Sequence, residues 1–236
     1  MKDMNLVICP MKEEYDELVR QIAKKKDSSI GNIQGCTFHI KGEEYFAFIG
    51  KIGKENIGFD IGYISGLVNI KSVFNIGVAG SLKEDIVPLN VVVAEKVCYY
   101  DVDVSSGGNY VFGQMGGEDD LYFYADKKIL SVIDDLNTTL TIRKGTIISG
   151  DSFATKENLS VDLLSKFDNP LAVDMESGAV GQACKRLKVP FTIIRGISDN
   201  VFADDNSTTF TEFTSLSARR AATVFIHITN QEFIKD

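Results

Sequence analysis

Short apolar runs alternate with helix-forming stretches along this chain of 236 residues, and that alternation limits the possible folds more than any other feature. The apolar runs predict buried strands at residues 5–9, 72–76, 89–97, 144–149, 171–174 and 191–197. Apolar residues at three- and four-residue steps predict helices at residues 11–26, 56–68, 126–135, 159–167, 178–188 and 211–232. Strands that alternate with helices are typical of the α/β class. We therefore expect residues 1–236 to form a single three-layer domain with a mixed central β-sheet flanked by helices.

Three further segments have patterns of their own. Residues 36–40 and 44–50 alternate around Lys41 and Gly42, which predicts a β-hairpin. The sequence GKIGKENIG, which begins at Gly50, lacks the spacer and the Ser or Thr of a nucleotide phosphate loop. Residues 105–120 are rich in glycine and acidic residues, so we expect a long loop there, of the kind that is often functional.

Charge and hydropathy limit the partners of this chain. Its net charge is −8, which argues against nucleic acid or an anionic membrane surface as a partner. Residues 1–14 contain only a short apolar run before charged residues, and no window is long enough to span a bilayer. We expect no signal peptide, no membrane partner and no nucleic-acid partner.

The cysteines and histidines give no sign of a metal centre. The cysteines are Cys9, Cys36, Cys98 and Cys184. They are widely spaced in apolar surroundings without a CxxC pair, which predicts reduced, buried thiols in a cytoplasmic protein. The two histidines lie far in sequence from any cysteine or acidic cluster, so a zinc site or a Ser-His-Asp triad has no support. We expect no metal and no cofactor.

Chemically useful side chains follow five of the predicted strands. They are Met11 and Glu14, the GVAGS segment at residues 77–81, Asp151 and Phe153, Met175 and Glu176, and Asp199. Ligands of open α/β sheets bind outside the carboxyl ends of strands, so these side chains can share one site. Structural roles are available too: Ser198 and Asp199 suit a helix cap, and Glu14 suits the first turn of a helix. Taken singly, GVAGS equally suits a tight turn or a ligand loop.

Together these side chains suit a nucleoside. Carboxylates bind sugar hydroxyls, an aromatic ring stacks on a flat base, and methionine packs against the sugar. Paired acids also suit glycosidic cleavage, in which one acid protonates the leaving group and the other acts on water. The residues therefore suit a small ligand such as a nucleoside, and the paired acids also suit cleavage of its glycosidic bond.

Six motifs, in this order along the chain, resemble a known family. They are PMKEE at Pro10, NIGVAGSL at Asn75, YYDVDV at Tyr99, SGDSF at Ser149, VDMESGAV at Val173 and RGISDN at Arg195. The chain resembles the nucleoside phosphorylase and nucleosidase superfamily over nearly its whole length, and within it the 5′-methylthioadenosine/S-adenosylhomocysteine nucleosidases. The resemblance implies a cytoplasmic homodimer that hydrolyses the N-glycosidic bond of adenine thionucleosides and gives adenine and a thioribose product.

The same resemblance implies a role for each matching residue. Asp199 is the general acid that protonates N7 of the purine, Ser198 holds its carboxyl group, and Glu14 activates the attacking water. To donate near neutral pH, Asp199 needs a raised pKa, which burial can supply. The implied substrate contacts are Glu176 to the ribose hydroxyls, Met175 beside the sugar, Phe153 and Ala154 at the adenine, Ala79 and Gly80 beside base and sugar, and Met11, Ile52 and Phe210 around the alkylthio group.

Three other functions are compatible with this resemblance. A purine nucleoside phosphorylase would need arginines for phosphate, yet no arginine lies between Arg20 and Arg143, and Val78 stands where a hydroxyl would help. An aminofutalosine-type nucleosidase would use a similar pocket with a different tail. A non-catalytic nucleoside-binding protein would have no need to keep Glu14, Glu176 and Asp199 together. Hydrolysis of the thionucleosides is the preferred interpretation.

The sequence departs from the family pattern in two places. Gly107 and Gly108 stand where the family places an aromatic residue that enters the neighbouring subunit's alkylthio pocket. Asp174 stands where many members have glutamate, and strand alternation predicts that it points away from the ligand. The first departure leaves the preferred 5′ substituent open.

Overall fold

The computed structural model describes residues 1–230, in which ten strands join one mixed sheet. The strands are β1 (Asp3–Cys9), β2 (Lys25–Ile30), β3 (Ile33–Ile40), β4 (Glu43–Ile49), β5 (Asn69–Ser81), β6 (Val91–Tyr99), β7 (Phe123–Tyr124), β8 (Ile142–Ser149), β9 (Pro170–Asp174) and β10 (Phe191–Asn200). The helices are α1 (Lys12–Arg20), α2 (Lys54–Ser65), α3 (Lys127–Asp134), α4 (Val161–Leu164), α5 (Ser177–Leu187) and α6 (Asn206–Asn230), with a 3₁₀ turn at Ser105–Gly107. The predicted α/β class with a mixed central sheet is confirmed.

The sheet closes on itself at one end. Its order is β10-β6-β8-β9-β5-β1-β4-β3-β2, with β7 beside β6, and β5 also pairs with β10. Strands β5, β10, β6, β8 and β9 therefore form a closed ring, and β1, β4, β3 and β2 extend from it as an open sheet. The ring is possible because β5 is 13 residues long and pairs with β1 along its first part and with β9 at Gly80 and Ser81.

Helices cover both faces of the sheet. On one face, α2 and α5 pack Ile57, Ile61 and Val180 into a first core. On the other face, α1, α3 and α6 contribute to a second core. The side chains of β1 alternate between the two cores, which explains why residues 5–9 form an unbroken apolar run.

Several predicted boundaries were wrong. The helix predicted at 11–26 ends at Arg20, because residues 25–30 form β2 and extend the sheet beside β3. The strand predicted to end at residue 76 continues through Ser81, so GVAGS is neither a turn nor a loop. Of the helix predicted at 159–167, only residues 161–164 are α-helical.

The last strand and helix also differ from their predicted limits. Strand β10 continues to Asn200, so Ser198 and Asp199 lie within a strand and do not cap a helix. Helix α6 begins at Asn206, earlier than the predicted residue 211, and the predicted residues 231–232 lie outside the described part of the chain. Across residues 1–230, no helix combines the length and apolar character that crossing a bilayer requires.

Candidate active site

One cavity lies at the carboxyl ends of β1, β5, β9 and β10 and the segment after β8. Every residue that the sequence assigned to the site lines it: Met11, Glu14, Ile52, Ala79, Gly80, Phe153, Ala154, Met175, Glu176, Ser198, Asp199 and Phe210. The tertiary fold thus brings the five predicted strand ends to one place, although Gly77, Ser81 and Asp151, which the sequence grouped with these ends, do not line the cavity.

Glu14 lies in the first turn of α1 and is almost fully buried. Its Oε2 accepts a hydrogen bond from the backbone N–H of Met11 (2.7 Å), and its Oε1 accepts one from that of Val78 (2.8 Å). Burial raises the pKa of Glu14 to about 7, although Arg195 and the two backbone hydrogen bonds act in the opposite direction. Glu14 can therefore exchange a proton near neutral pH, which a helix-start acid at the surface would not do.

Glu176 follows β9 and is held by two donors. Its Oε1 accepts from the backbone N–H of Gly53 (3.0 Å), and its Oε2 accepts from Nη2 of Arg195 (3.2 Å). Burial raises the pKa of Glu176 far above its ordinary value, and the carboxylates of Asp174 and Glu14 add to that effect. Because both oxygens are fixed, the carboxyl group has one orientation at the cavity wall.

Arg195 is the main residue that the sequence analysis left out of the site. It lies in the middle of β10 with no exposed surface. Its Nε donates to Oδ2 of Asp174 (2.7 Å), and its Nη2 donates to Oδ1 of Asn75 (2.5 Å) as well as to Glu176. Its Nη1 is buried without a hydrogen-bond partner among the described residues. An arginine inside the apolar run FTIIRGI was the available signal, because a buried guanidinium requires buried acceptors.

Asp174 anchors this arginine. Its carboxylate also accepts hydrogen bonds from Oγ of Ser149 (2.7 Å), from the backbone N–H groups of Glu176 (3.2 Å) and Ser177 (3.1 Å), and from Oγ of Ser177. Asp174 is among the residues that line the cavity, while its carboxylate is bonded to Ser149, Ser177 and Arg195, and its orientation relative to a ligand stays a prediction. Asp174 is the last residue of β9, so strand alternation does not fix the direction of its side chain.

Asp199, near the end of β10, is a further buried carboxyl group in the cavity wall. Its Oδ1 accepts a hydrogen bond from Oγ of Ser198 (2.6 Å), and its Oδ2 accepts one from Nδ2 of Asn206 (2.9 Å). Burial raises the pKa of Asp199, and these two hydrogen bonds lower it. Asn206 is the second site residue that the sequence analysis missed, since a polar residue at a helix start is usually a cap.

The apolar wall lies at the mouth of the cavity. Phe153 and Phe210 pack edge to face, with ring centroids 5.2 Å apart. Phe153 and Ile52 remain 42% and 48% exposed, whereas Met11 and Met175 are partly buried. This end can accept an apolar group and leaves it in contact with solvent.

A surface ion-pair cluster stands beside the cavity. Nζ of Lys54 lies 2.8 Å from Oδ2 of Asp101 and 2.9 Å from Oδ2 of Asp151. Asp151, which the sequence grouped with the site, is thus used to tie the segment after β8 to the start of α2. No set of three or more His, Cys, Asp and Glu side chains within residues 1–230 is arranged to hold a metal ion.

Gly77 lies where Arg195 and Glu14 come closest to the backbone of β5. A Cβ at this position would lie 2.3 Å from Nη1 of Arg195 and 2.4 Å from Oε1 of Glu14. We expect Gly77→Ala to destabilise the protein by about 1–3 kcal/mol, because both charged groups must move in a packed core. Denaturant unfolding measures this change. Gly66→Ala is the control, since a Cβ there meets only ordinary contacts; equal stability of the two variants would contradict the expectation.

Comparisons with known proteins agree with this fold and cavity. A family model described as the phosphorylase superfamily matches residues 6–230. A 5′-methylthioadenosine/S-adenosylhomocysteine nucleosidase of Buchnera aphidicola subsp. Schizaphis graminum is 31% identical over 208 residues, which cover 87% of each chain. The nucleosidase of the same name from Exiguobacterium sp. is 30% identical and covers 95% of this chain and 97% of its own.

A solved structure is similar along almost its full length. It is a nucleosidase of the same name from S. pneumoniae with the transition-state inhibitor MT-ImmA. Its TM-score to this chain is 0.89 at 30% sequence identity, and the alignment covers 96% of this chain and 98% of that one. The similarity therefore extends to the whole architecture that surrounds the cavity.

Proposed function

Since the chain belongs to the phosphorylase superfamily, and within it to the 5′-methylthioadenosine/S-adenosylhomocysteine nucleosidases, we propose that it hydrolyses the N-glycosidic bond of these adenine thionucleosides. The products are adenine and a thioribose. The observation that carries the proposal is one cavity whose wall includes two buried carboxyl groups, Glu14 and Asp199, whose pKa values are both raised. Two carboxyl groups with distinct environments suit acid and base roles in one reaction.

Asp199 acts as the general acid in the proposed mechanism. The C1′–N9 bond breaks with its electron pair going to the purine, and protonation at N7 makes that purine a better leaving group. Burial keeps a proton on Asp199 at higher pH than an exposed aspartate would allow. Ser198 donates to Oδ1 and fixes the direction of the carboxyl group.

Glu14 acts as the general base toward water. The water oxygen forms the new bond to C1′, and Glu14 removes one of the water protons. The unpartnered Nη1 of Arg195 and Oε1 of Glu14 both lie within 2.4 Å of the position that a Gly77 Cβ would occupy. The nearby guanidinium favours the ionised form of Glu14, which is the form that can accept a proton from water.

The remaining contacts hold the substrate. Glu176 accepts hydrogen bonds from the ribose hydroxyls, and Met175 packs beside the sugar. Phe153 stacks on adenine, whose edge bonds to the backbone of Ala154. The strand residues Ala79 and Gly80 lie beside base and sugar. Met11, Ile52 and Phe210 form the apolar surface for the alkylthio group.

Hydrolysis is favoured over phosphorolysis by the charges of the cavity. Arg195 is committed to Asp174, Asn75 and Glu176 and has only Nη1 left to donate. A phosphate dianion at this point would meet the buried carboxyl groups of Glu14 and Glu176, and Nη1 would be the one nitrogen of Arg195 left to donate to it. A neutral water molecule is not repelled by these carboxyl groups.

The proposal is tested by incubating the protein with methylthioadenosine, S-adenosylhomocysteine, adenosine, inosine and aminofutalosine, with and without phosphate. We expect adenine release from the two thionucleosides without phosphate. Turnover that needs phosphate and yields ribose-1-phosphate would show a phosphorylase. Preferred cleavage of aminofutalosine would reassign the substrate, and binding without cleavage would indicate a nucleoside-binding protein.

The pH dependence of kcat/KM follows from the base role of Glu14. The active form has Glu14 ionised, and its pKa is about 7, so kcat/KM should fall about tenfold per pH unit below that value. Steady-state kinetics between pH 5 and 9 measure this limb. Glu14→Gln should lower kcat/KM by roughly 10²–10⁴, whereas the exposed neighbour Glu13 should tolerate Glu13→Gln. An unchanged acidic limb in Glu14→Gln would remove Glu14 from the base role.

We also propose a homodimer. The face formed by α2 and α5 bears Phe59, which is 67% exposed, and the neighbouring groove is lined by Met115, Ala183 and Leu187. Exposed apolar surface of this kind is typical of a subunit interface. A second copy there would approach the open mouth at Ile52, at the start of α2. Sedimentation velocity measures the oligomeric state, and a monomer at micromolar concentration would contradict this proposal.

Residues 1–236 are further proposed to act as a single nucleosidase domain in the cytoplasm. One family model spans residues 6–230, and one sheet connects all ten strands of the described part. The four cysteines are free and buried, as expected in a reducing compartment. Limited proteolysis that released a folded fragment, or fractionation that placed the protein outside the cytoplasm, would contradict these assignments.

A further inference from the structure

We propose that Asn206 is a positioning residue for the reaction, because its side-chain amide joins the acid Asp199 to the backbone that receives the purine. This inference rests on the proposed hydrolysis and adds a residue to it. Asn206 is 6% exposed and is the first residue of α6. Its role differs from that of a helix cap, since its Nδ2 donates away from its own helix.

The two contacts of Asn206 define this role. Its Nδ2 donates to Oδ2 of Asp199 (2.9 Å) and to the backbone carbonyl of Ala154 (3.2 Å). An amide NH₂ has two hydrogens, so both are used. Asp199 belongs to β10 and Ala154 to the segment after β8, so one side chain fixes the distance between proton donor and purine edge.

Asn206 also affects how readily Asp199 gives up its proton. After proton transfer Asp199 is ionised, and Asn206 and Ser198 then donate to its two oxygens. Hydrogen bonds to the ionised form of an acid lower its pKa. Burial acts in the opposite direction, so Asn206 limits the loss of acid strength that burial causes.

Charged side chains near Asp199 do not account for the opposing effects of burial and hydrogen bonding on its pKa. The charged side chains on the elements around Asp199 are Glu14, Asp174 and Glu176 in the cavity wall, the buried Arg195 in β10, Asp151 and Lys156 after β8, and Asp204 and Asp205 before α6. Among the described residues, only burial and the hydrogen bonds from Ser198 and Asn206 shift the pKa of Asp199. The amide of Asn206 and the hydroxyl of Ser198 are therefore the two groups that favour the ionised form of Asp199.

The main variant is Asn206→Leu, which keeps the size of the side chain and removes both donors. The pKa of Asp199 should rise in this variant. The alkaline limb of the pH profile of kcat/KM, in which Asp199 loses its proton, should therefore move to higher pH by about half a unit or more. We also expect kcat to fall, because the ionised acid lacks a donor. The smaller Asn206→Ala serves if the leucine variant does not fold.

Carboxyl ¹³C NMR gives a readout that does not need turnover. The Asp199 signal, assigned by its absence from Asp199→Asn, should titrate at higher pH in the Asn206 variants than in the unsubstituted protein. The control is Asn200→Ala. Asn200 ends the same strand, but its side chain bonds to the backbone of Lys83 and Phe202 and not to the carboxyl group of Asp199, so its variant should leave the titration in place.

The outcomes separate this inference from the proposed function. A folded Asn206 variant whose Asp199 signal titrates as in the unsubstituted protein would overturn the positioning role. A lower kcat with an unmoved alkaline limb would also do so, since a purely structural effect predicts that pattern. If the unsubstituted protein cleaves no nucleoside, the proposed function fails, and the NMR titration still decides whether Asn206 acts on Asp199.

Discussion

Asp199→Asn should lower kcat/KM for methylthioadenosine by roughly 10²–10⁴, the usual contribution of a general acid. Asparagine has the same shape but carries no acidic proton for N7 of the purine. The cavity and its apolar wall are unchanged, so nucleoside binding should be largely retained. Steady-state kinetics and calorimetric titration with a nucleoside measure the two effects separately.

Asp204→Asn is the matched control for this variant. Asp204 follows Asp199 closely in sequence, but its side chain is 91% exposed and pairs with Lys156 at the surface. Exposed ion pairs contribute little, so its loss should leave kcat/KM near that of the unsubstituted protein. If Asp199→Asn kept most of its activity, Asp199 would not be the acid, and the hydrogen bonds from Ser198 and Asn206 would be purely structural.

Arg195→Met should destabilise the protein by roughly 3–5 kcal/mol and lower Tm by roughly 6–20 °C. The substitution removes the buried cation that contacts Asp174 and Glu176. The carboxylates left behind must either stay charged in the core or take up protons. Because Arg195 also lowers the pKa of Glu14, the acidic limb of kcat/KM should move to higher pH in any variant that folds.

Arg219→Ala tests whether this effect is due to burial. Arg219 also pairs with a buried carboxylate, Glu17, at 2.9 Å, but its own side chain is 55% exposed. Arg20 provides Glu17 with a second partner. The expected cost is therefore about 1 kcal/mol or less. Equal losses for Arg195→Met and Arg219→Ala in denaturant unfolding would show that the buried network is not the source of the stability.

Local patterns predicted element type better than element length. The apolar run at residues 5–9 identified β1 because both faces of that strand are covered. The helix predicted at 11–26 was too long, since the charged residues of β2 suit an exposed edge strand as well as a helix surface. Similarly, GVAGS resembles a turn, but pairing with Arg195–Asn200 keeps it extended. Such pairing depends on residues far away in sequence.

The sequence by itself determined the α/β class, the family and twelve of the eighteen residues that line the cavity, because motif order and apolar periodicity are local properties. Only the tertiary structure decided the closed ring of strands, the enclosure of Arg195 by three acceptors, and the bond from Asn206 to Asp199. These features join residues that lie up to 120 positions apart. Their energies come from burial and from distances between charges, which exist only once the chain has folded.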